Sequence, residues 1–215
     1  MPDDVSRRTD RPLVAVTVVL VTVYIVINVV LALLRPDYSV IGDVESDYGR
    51  GRFSWLMDID FVIRGVLSIT AVIVLARRRI ARPWTGILVG IWAVTSALLA
   101  FFPTNIVGRP RIPSGPVHTG LATVGFIAIA IATVAMSVRI QRRSAAPRVA
   151  ATGLLVVSGL GALFLLGLRP ATALHGAGLD ERLFLLSQLV WLAWASMSTT
   201  TIVADREPAS VTTAG

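Results

Sequence analysis

The chain has no cysteine, and reading along it finds no lysine either, so all twenty of its basic residues are arginine. Without cysteine there is no thiol nucleophile, no thiolate metal ligand and no disulfide. Without lysine there is no Schiff base to retinal or pyridoxal phosphate. Histidine is scarce too, at two residues, and neither sits in an HExxH or HxxxH pattern of the kind that places two imidazoles on one helical face. No filter-like motif, no internal repeat of the inverted-repeat transporter kind and no stretch resembling a separate soluble domain is found.

What the chain does have is apolar length. Six runs, about 12–34, 59–76, 84–102, 117–138, 149–168 and 183–204, each approach the roughly 20 apolar residues that a bilayer core requires of a helix. The fold class expected is all-α, a polytopic six-transmembrane-helix bundle in a single domain over 12–204. The first run is read as a retained helix rather than a signal peptide, since no small-residue cleavage site precedes Arg35 and Pro36.

Arginine placement orients this bundle, because positive residues stay on the cytoplasmic side during insertion. Arg7, Arg8 and Arg11 precede the first run. Arg77, Arg78, Arg79 and Arg82 fill the second connection, Arg139, Arg142, Arg143 and Arg148 the fourth, and Arg206 follows the last run. The other side holds Arg35, Arg50, Arg52, Arg109, Arg111, Arg169 and Arg182, together with Asp37, Asp43, Glu45, Asp47, Asp58, Asp180 and Glu181. Both tails, 1–11 and 205–215, are therefore expected in the cytoplasm. The net charge of +7 is explained by topology and by attraction to anionic inner-leaflet lipids, and no nucleic-acid partner is expected.

Polar residues within the runs are the next clue, since a charge at the bilayer centre costs about 3 kcal/mol. Asp60 and Arg64 lie four apart, one helical turn, and are expected to pair. The pair is either a structural bridge, or Arg64 offers its forked donors to a phosphate or carboxylate. Asn28 and Gln188, the latter beside Ser187, are expected to make interhelical hydrogen bonds. Gly86 and Gly90, Ala128 and Ala132, and Gly153, Gly159, Gly161 and Gly167 offer small-residue packing surfaces, within one bundle or in a homo-oligomer.

His118 follows Ser114, Gly115 and Pro116, a helix-start pattern with Ser114 as cap. His175 lies in the last connection. With Asp47 and Glu181 these histidines supply nitrogen and oxygen donors that zinc accepts, though the spacing is not that of a known zinc motif. The acids Asp180 and Glu181 also suit the positive end of the sixth helix.

Five short motifs carry a resemblance: Pro36-Asp37-Tyr38-Ser39, Ser46-Asp47-Tyr48-Gly49, Phe102-Pro103-Thr104-Asn105, His118, and Glu181-Arg182. Together they resemble the bacterial and archaeal membrane family described as domain of unknown function 998. That family has a PxYS stretch and an SDLG-like stretch in an outer loop, an FPxD-like end to helix 3, and then a histidine. Here Tyr48 stands where leucine is usual and Asn105 where aspartate is common, and Asp58 to Arg64 replaces a neutral stretch. The loss of that aspartate weakens any catalytic or metal role at Asn105. The resemblance also implies, by fold analogy, a link to lipid handling.

All these polar groups fall at one level, the outer side. A pocket opening to the outer leaflet is therefore expected, with Asp60, Arg64, Asn105, His118, Glu181 and Arg182 as ligand-binding candidates. The leading reading is a protein of the cell envelope that binds a lipid or small amphiphile, or scaffolds another envelope protein. A metal-assisted or acid/base lipid hydrolase is the alternative, with His118 as base and Asp47 or Glu181 as orienting carboxylate. A small transporter or channel is the third.

Overall fold

Apolar runs need their backbone hydrogen bonds satisfied internally, and within the described residues every run here forms helix. The computed structural model describes residues 2–142 and 148–202, with side chains for 10–142, 148–168, 170–172 and 174–198. Its α-helices are α1 (Pro2–Leu34), α2 (Ser54–Arg77), α3 (Pro83–Leu98), α4 (Gly115–Gln141), α5 (Arg148–Ala173) and α6 (Ala177–Ile202). Short 3-10 helices add Glu45–Gly49 and Leu99–Phe101. There is no strand among the described residues. The predicted tail 205–215, with Arg143 and Arg206, lies outside them.

Among the described residues, five segments are long and apolar enough to cross a membrane: Asp10–Leu34, Ser54–Arg77, Pro83–Phe101, Gly115–Gln141 and Arg148–Leu168. The described part of α6 is not among them. Most helices overrun their apolar segments, because hydropathy marks where lipid would lie and not where hydrogen bonding stops. The clearest correction is at the start. Residues 2–11, expected as a tail, continue α1 outward, and Asp10 is held there by Arg77 at 3.3 Å and Arg78 at 3.0 Å.

Consecutive helices pack against one another, and α6 closes the bundle by touching α1, α2 and α4 as well as α5. One end of the bundle gathers Arg77, Arg78, Arg79, Arg82, Arg139, Arg142 and Arg148. The opposite end carries the longer connections 35–53 and 102–114 and the short one at 174–176. Aromatic rings fill the middle, where Phe126 lies 5.8 Å from Trp92 and 4.8 Å from Phe184.

A hydroxyl network joins α4, α5 and α6 below these rings. Trp191 Nε1 and Ser158 Oγ both donate to Ser137 Oγ, at 2.7 and 3.0 Å, and Ser137 Oγ donates to the Leu154 carbonyl at 3.1 Å. Thr133 Oγ1 donates to Gln188 Oε1 at 2.9 Å, the interhelical bond expected of Gln188. Where lipid replaces water there is little hydrophobic drive between helices, so packing and such bonds carry the association.

The close approaches occur at different glycines from the GxxxG pair. An added Cβ at Gly65 in α2 would sit 2.8 Å from the Ala93 carbonyl oxygen of α3, and one at Gly153 in α5 would run into the Trp194 ring of α6. Gly90 has nothing within 4 Å and Gly86 only Val72 at 4.0 Å. The Gly86–Gly90 pair is thus no seam within this bundle. Ala128 and Ala132 are buried in its core. Gly65→Ala should lower thermal stability in detergent by about 1–3 kcal/mol through overpacking against a backbone atom. Gly90→Ala should be neutral or stabilising, since only helix propensity changes. Thermal midpoints of the two purified variants check this, and equal losses would show that the two glycines are packed alike.

Candidate functional site

Arg64 in α2 is 1% exposed, and its surroundings are built to hold a guanidinium away from solvent. The group lies between two aromatic faces, 5.2 Å from the Phe61 ring and 4.9 Å from the Trp92 ring, an arrangement attractive to a cation. Nε donates to Ser96 Oγ of α3 at 3.2 Å, and Nη1 lies 3.9 Å from Glu45 Oε1. The ring of Trp92 is itself fixed: its Nε1 donates to Ser68 Oγ at 3.0 Å, and that hydroxyl donates to the Arg64 carbonyl at 2.7 Å.

Glu45 comes from the 3-10 helix Glu45–Gly49, which folds back onto α2 and α6 and buries Glu45, Ser46, Asp47 and Tyr48. Its carboxylate accepts the Tyr24 hydroxyl of α1 through Oε1. Its backbone N–H donates to Glu181 Oε2 of α6 at 3.2 Å. Burial raises the Glu45 pKa, and the Arg64 charge opposes the rise. One loop residue thus links α1, α2 and α6.

The expected Asp60–Arg64 bridge does not form: no ion pair or hydrogen bond joins them among the described residues. Asp60 Oδ2 accepts Asn28 Nδ2 of α1 at 2.7 Å, while Arg64 reaches toward α3 and the loop. Sequence spacing puts two side chains on one face, but the aromatic slot and Glu45 decide where the guanidinium goes. Glu45, Tyr24, Trp92 and Ser96 were not legible as site residues. The available signal for Glu45 was its position directly before the Ser46-Asp47-Tyr48-Gly49 motif.

The other candidates divide in two. Glu181 joins the cluster through Glu45. Arg182 adjoins it as a clamp on the loop, its Nη1 donating to the carbonyls of Val40 at 2.9 Å, Asp43 at 2.7 Å and Gly178 at 3.0 Å, with the guanidinium 5.5 Å from the Tyr48 ring. Asp47 is buried nearby with Oδ1 unpartnered. Burial pushes its carboxyl up to about 7, Asp43 adds to the rise, and Arg182 and Arg50 oppose it.

His118 lies across Phe61 from Arg64, ring centroids 5.9 Å apart, and its Nδ1 donates to the Phe102 carbonyl at 2.6 Å. It joins α4 to the end of α3 and makes no hydrogen bond to a carboxylate. Ser114 does not cap α4 as expected, its hydroxyl donating instead to the Pro103 carbonyl at 3.0 Å. Asn105 stands apart from the cluster. Its Oδ1 accepts the Ile112 N–H at 2.9 Å, closing the 102–114 connection on itself. His175 is exposed where α5 ends, in the left-handed region at φ 56°. Among the described residues no three His, Asp or Glu side chains are placed to hold a metal ion, so His118, His175, Asp47 and Glu181 form no ligand set.

Three atoms of the cluster have no hydrogen-bond partner among the described residues: Arg64 Nη2, Asp60 Oδ1 and Asn28 Oδ1. A buried polar atom left unpaired costs about 1–3 kcal/mol, more when charged. The cluster therefore presents one cationic donor and two acceptors to whatever small polar group can reach them.

The family described as Protein of unknown function (DUF998) matches residues 15–198, and the chain belongs to it. No curated protein and no solved structure matches the chain significantly.

Two measurements probe the cluster. Glu45→Gln and Arg64→Gln should each destabilise the protein in detergent, and the double variant by less than their sum, with a coupling of about 1–3 kcal/mol. The Asp60→Asn and Arg64→Gln pair should be closer to additive. The second concerns Asp47, which keeps its proton in the folded protein to about pH 7, whereas in an unfolded chain it ionises near pH ~4. Between those values the unfolded state binds fewer protons, so stability falls as pH rises from about 4 to about 7 and then levels. Thermal midpoints across that range should show the slope, and Asp47→Asn should flatten it.

Proposed function

We propose that this protein is an integral membrane protein of the cell envelope with six spans and both termini cytoplasmic, and that its outer end binds the polar head of a lipid or small amphiphile. The bundle supports the topology by collecting Arg77, Arg78, Arg79, Arg82, Arg139, Arg142 and Arg148 at one end, the end retained inside by the positive-inside rule. The sixth span is α6, whose Gln188 accepts a hydrogen bond from Thr133 of α4 and, with Ser187, lies against Gly161 of α5.

The observation that carries the binding reading is the set of unpartnered atoms around Arg64. A buried guanidinium with a spare donor, set beside carboxylate and amide oxygens with spare acceptors, suits a head group that has an anionic oxygen and also a hydroxyl or ammonium. Asn28 is half-buried while Asp60 beneath it is fully buried. The seam between α1 and α2 is thus the way in from the lipid side. The hydrolase reading has less support, since His118 spends Nδ1 on a backbone carbonyl and touches Phe61 instead of an acid.

Because the chain lacks cysteine, single-cysteine labelling is unambiguous. Ala81→Cys should resist an impermeant thiol reagent in intact cells, while Ser39→Cys and Thr172→Cys should react. The reverse pattern would invert the topology. For the ligand, native mass spectrometry of the purified protein should find a retained amphiphile that Arg64→Gln and Asp60→Asn release and Arg109→Gln does not. An apo protein in every preparation would leave the scaffold reading, and stoichiometric zinc would restore the hydrolase.

A further inference from the structure

The opposite end of the bundle has a site of different character. A cavity of about 420 Å³ lies between the start of α3 and the end of α4, lined by Ile80, Arg82, Trp84, Thr85, Ala135, Met136, Val138, Arg139 and Arg142. Its volume is that of a small-molecule site. Arg82, Trp84 and Arg142 are exposed and form the mouth, while Ile80, Thr85 and Met136 are buried at the floor.

The charge in this cavity is of one sign. No carboxylate lines it, and among the described residues none pairs with Arg82, Arg139 or Arg142. The sequence contains no aspartate or glutamate anywhere from residue 61 to residue 179. Among the described residues the one acid buried at this end, Asp10, is taken by Arg77 and Arg78. Arg139 donates through Nη2 to the Arg79 carbonyl at 3.2 Å, which fixes its side chain, yet its Nε is enclosed and unpartnered. The amino end of α3 adds the positive end of a helix dipole at the same place.

Three unneutralised guanidinium groups beside an apolar wall of Ile80, Trp84, Ala135, Met136 and Val138 select a ligand that is anionic at one end and hydrocarbon at the other. We infer that this cavity binds the phosphate of an anionic membrane lipid, with its acyl chain against Trp84 and Val138. Forked arginine donors match phosphate oxygens, and an exposed Trp84 suits the membrane interface, where an indole has one face in hydrocarbon. The site is separate from the Arg64 cluster, and neither depends on the other.

The test uses the full chain in nanodiscs or detergent, with phosphatidylglycerol, phosphatidylcholine and glycerol phosphate as probes. Phosphatidylglycerol should bind and raise the thermal midpoint, phosphatidylcholine should not, and glycerol phosphate should bind far more weakly because it lacks the chains. The double variant R82Q/R142Q changes two exposed residues, so the fold is retained, and it should weaken phosphatidylglycerol binding roughly tenfold or more. R139Q should weaken it further and R139K should restore part of the loss, whereas R109Q at the other end should have no effect. Equal binding of the two lipids, or phosphatidylglycerol binding unchanged in R82Q/R142Q, would overturn the assignment. Glycerol phosphate binding as tightly as the lipid would overturn the membrane source and leave a site for a soluble phosphate ester.

Discussion

The enclosure of Arg64 is the constraint on which this end of the bundle depends. A guanidinium cannot be deprotonated under ordinary conditions, so burying it demands compensation from every side. Here α2 contributes Phe61 below it, α3 contributes Trp92 and Ser96, and Glu45 arrives from a loop. Glu45 in turn takes the Tyr24 hydroxyl of α1 and gives its N–H to Glu181 of α6. The charge therefore determines not only its own contacts but also the path of residues 45–49, which fold inward instead of lying on the surface. Without Arg64 there would be little reason to bury Glu45.

The two ends of the bundle answer the same problem differently. Near Arg64, carboxylates outnumber the arginine they surround, and the excess is met by Tyr24, Asn28 and a backbone N–H. At the other end, among the described residues, arginines outnumber the acids, and Asp10 is paired with Arg77 and Arg78. Between them the interior is held by rings and by hydroxyls that bond across helices, with Ser137 serving α4, α5 and α6 at once. Such bonds matter in lipid because no water competes for them, although each is worth only about 1 kcal/mol. The two binding proposals accordingly concern the two boundaries, where charge is left over.

The all-helical class and the family were legible from the sequence. Apolar length gave the helices, and the short motifs from Pro36 to Arg182 gave the family that matches residues 15–198. Asn28 and Gln188 were legible as interhelical hydrogen-bonding residues because an amide in an apolar helix needs a partner. Gly86 and Gly90 make no close contact within the bundle, since a GxxxG step creates a flat surface without saying what meets it. Arg182 and Asn105 were legible as polar and important, but not as the loop clamp and the loop closure they proved to be.

What the sequence by itself determined is what depends on residue composition along one helix: span length, amphiphilic ends, charge asymmetry and the unavoidable burial of Arg64 in an apolar run. What only the tertiary structure decided is the choice of partner. Asp60 was the nearest acid in sequence, yet Arg64 faces Glu45, nineteen positions earlier in the chain, and Asp60 turns to Asn28. The physical reason is that a buried charge is satisfied by whichever groups converge on it in space. Convergence is set by the packing of Phe61, Trp92 and the inward loop, and no local spacing rule contains it.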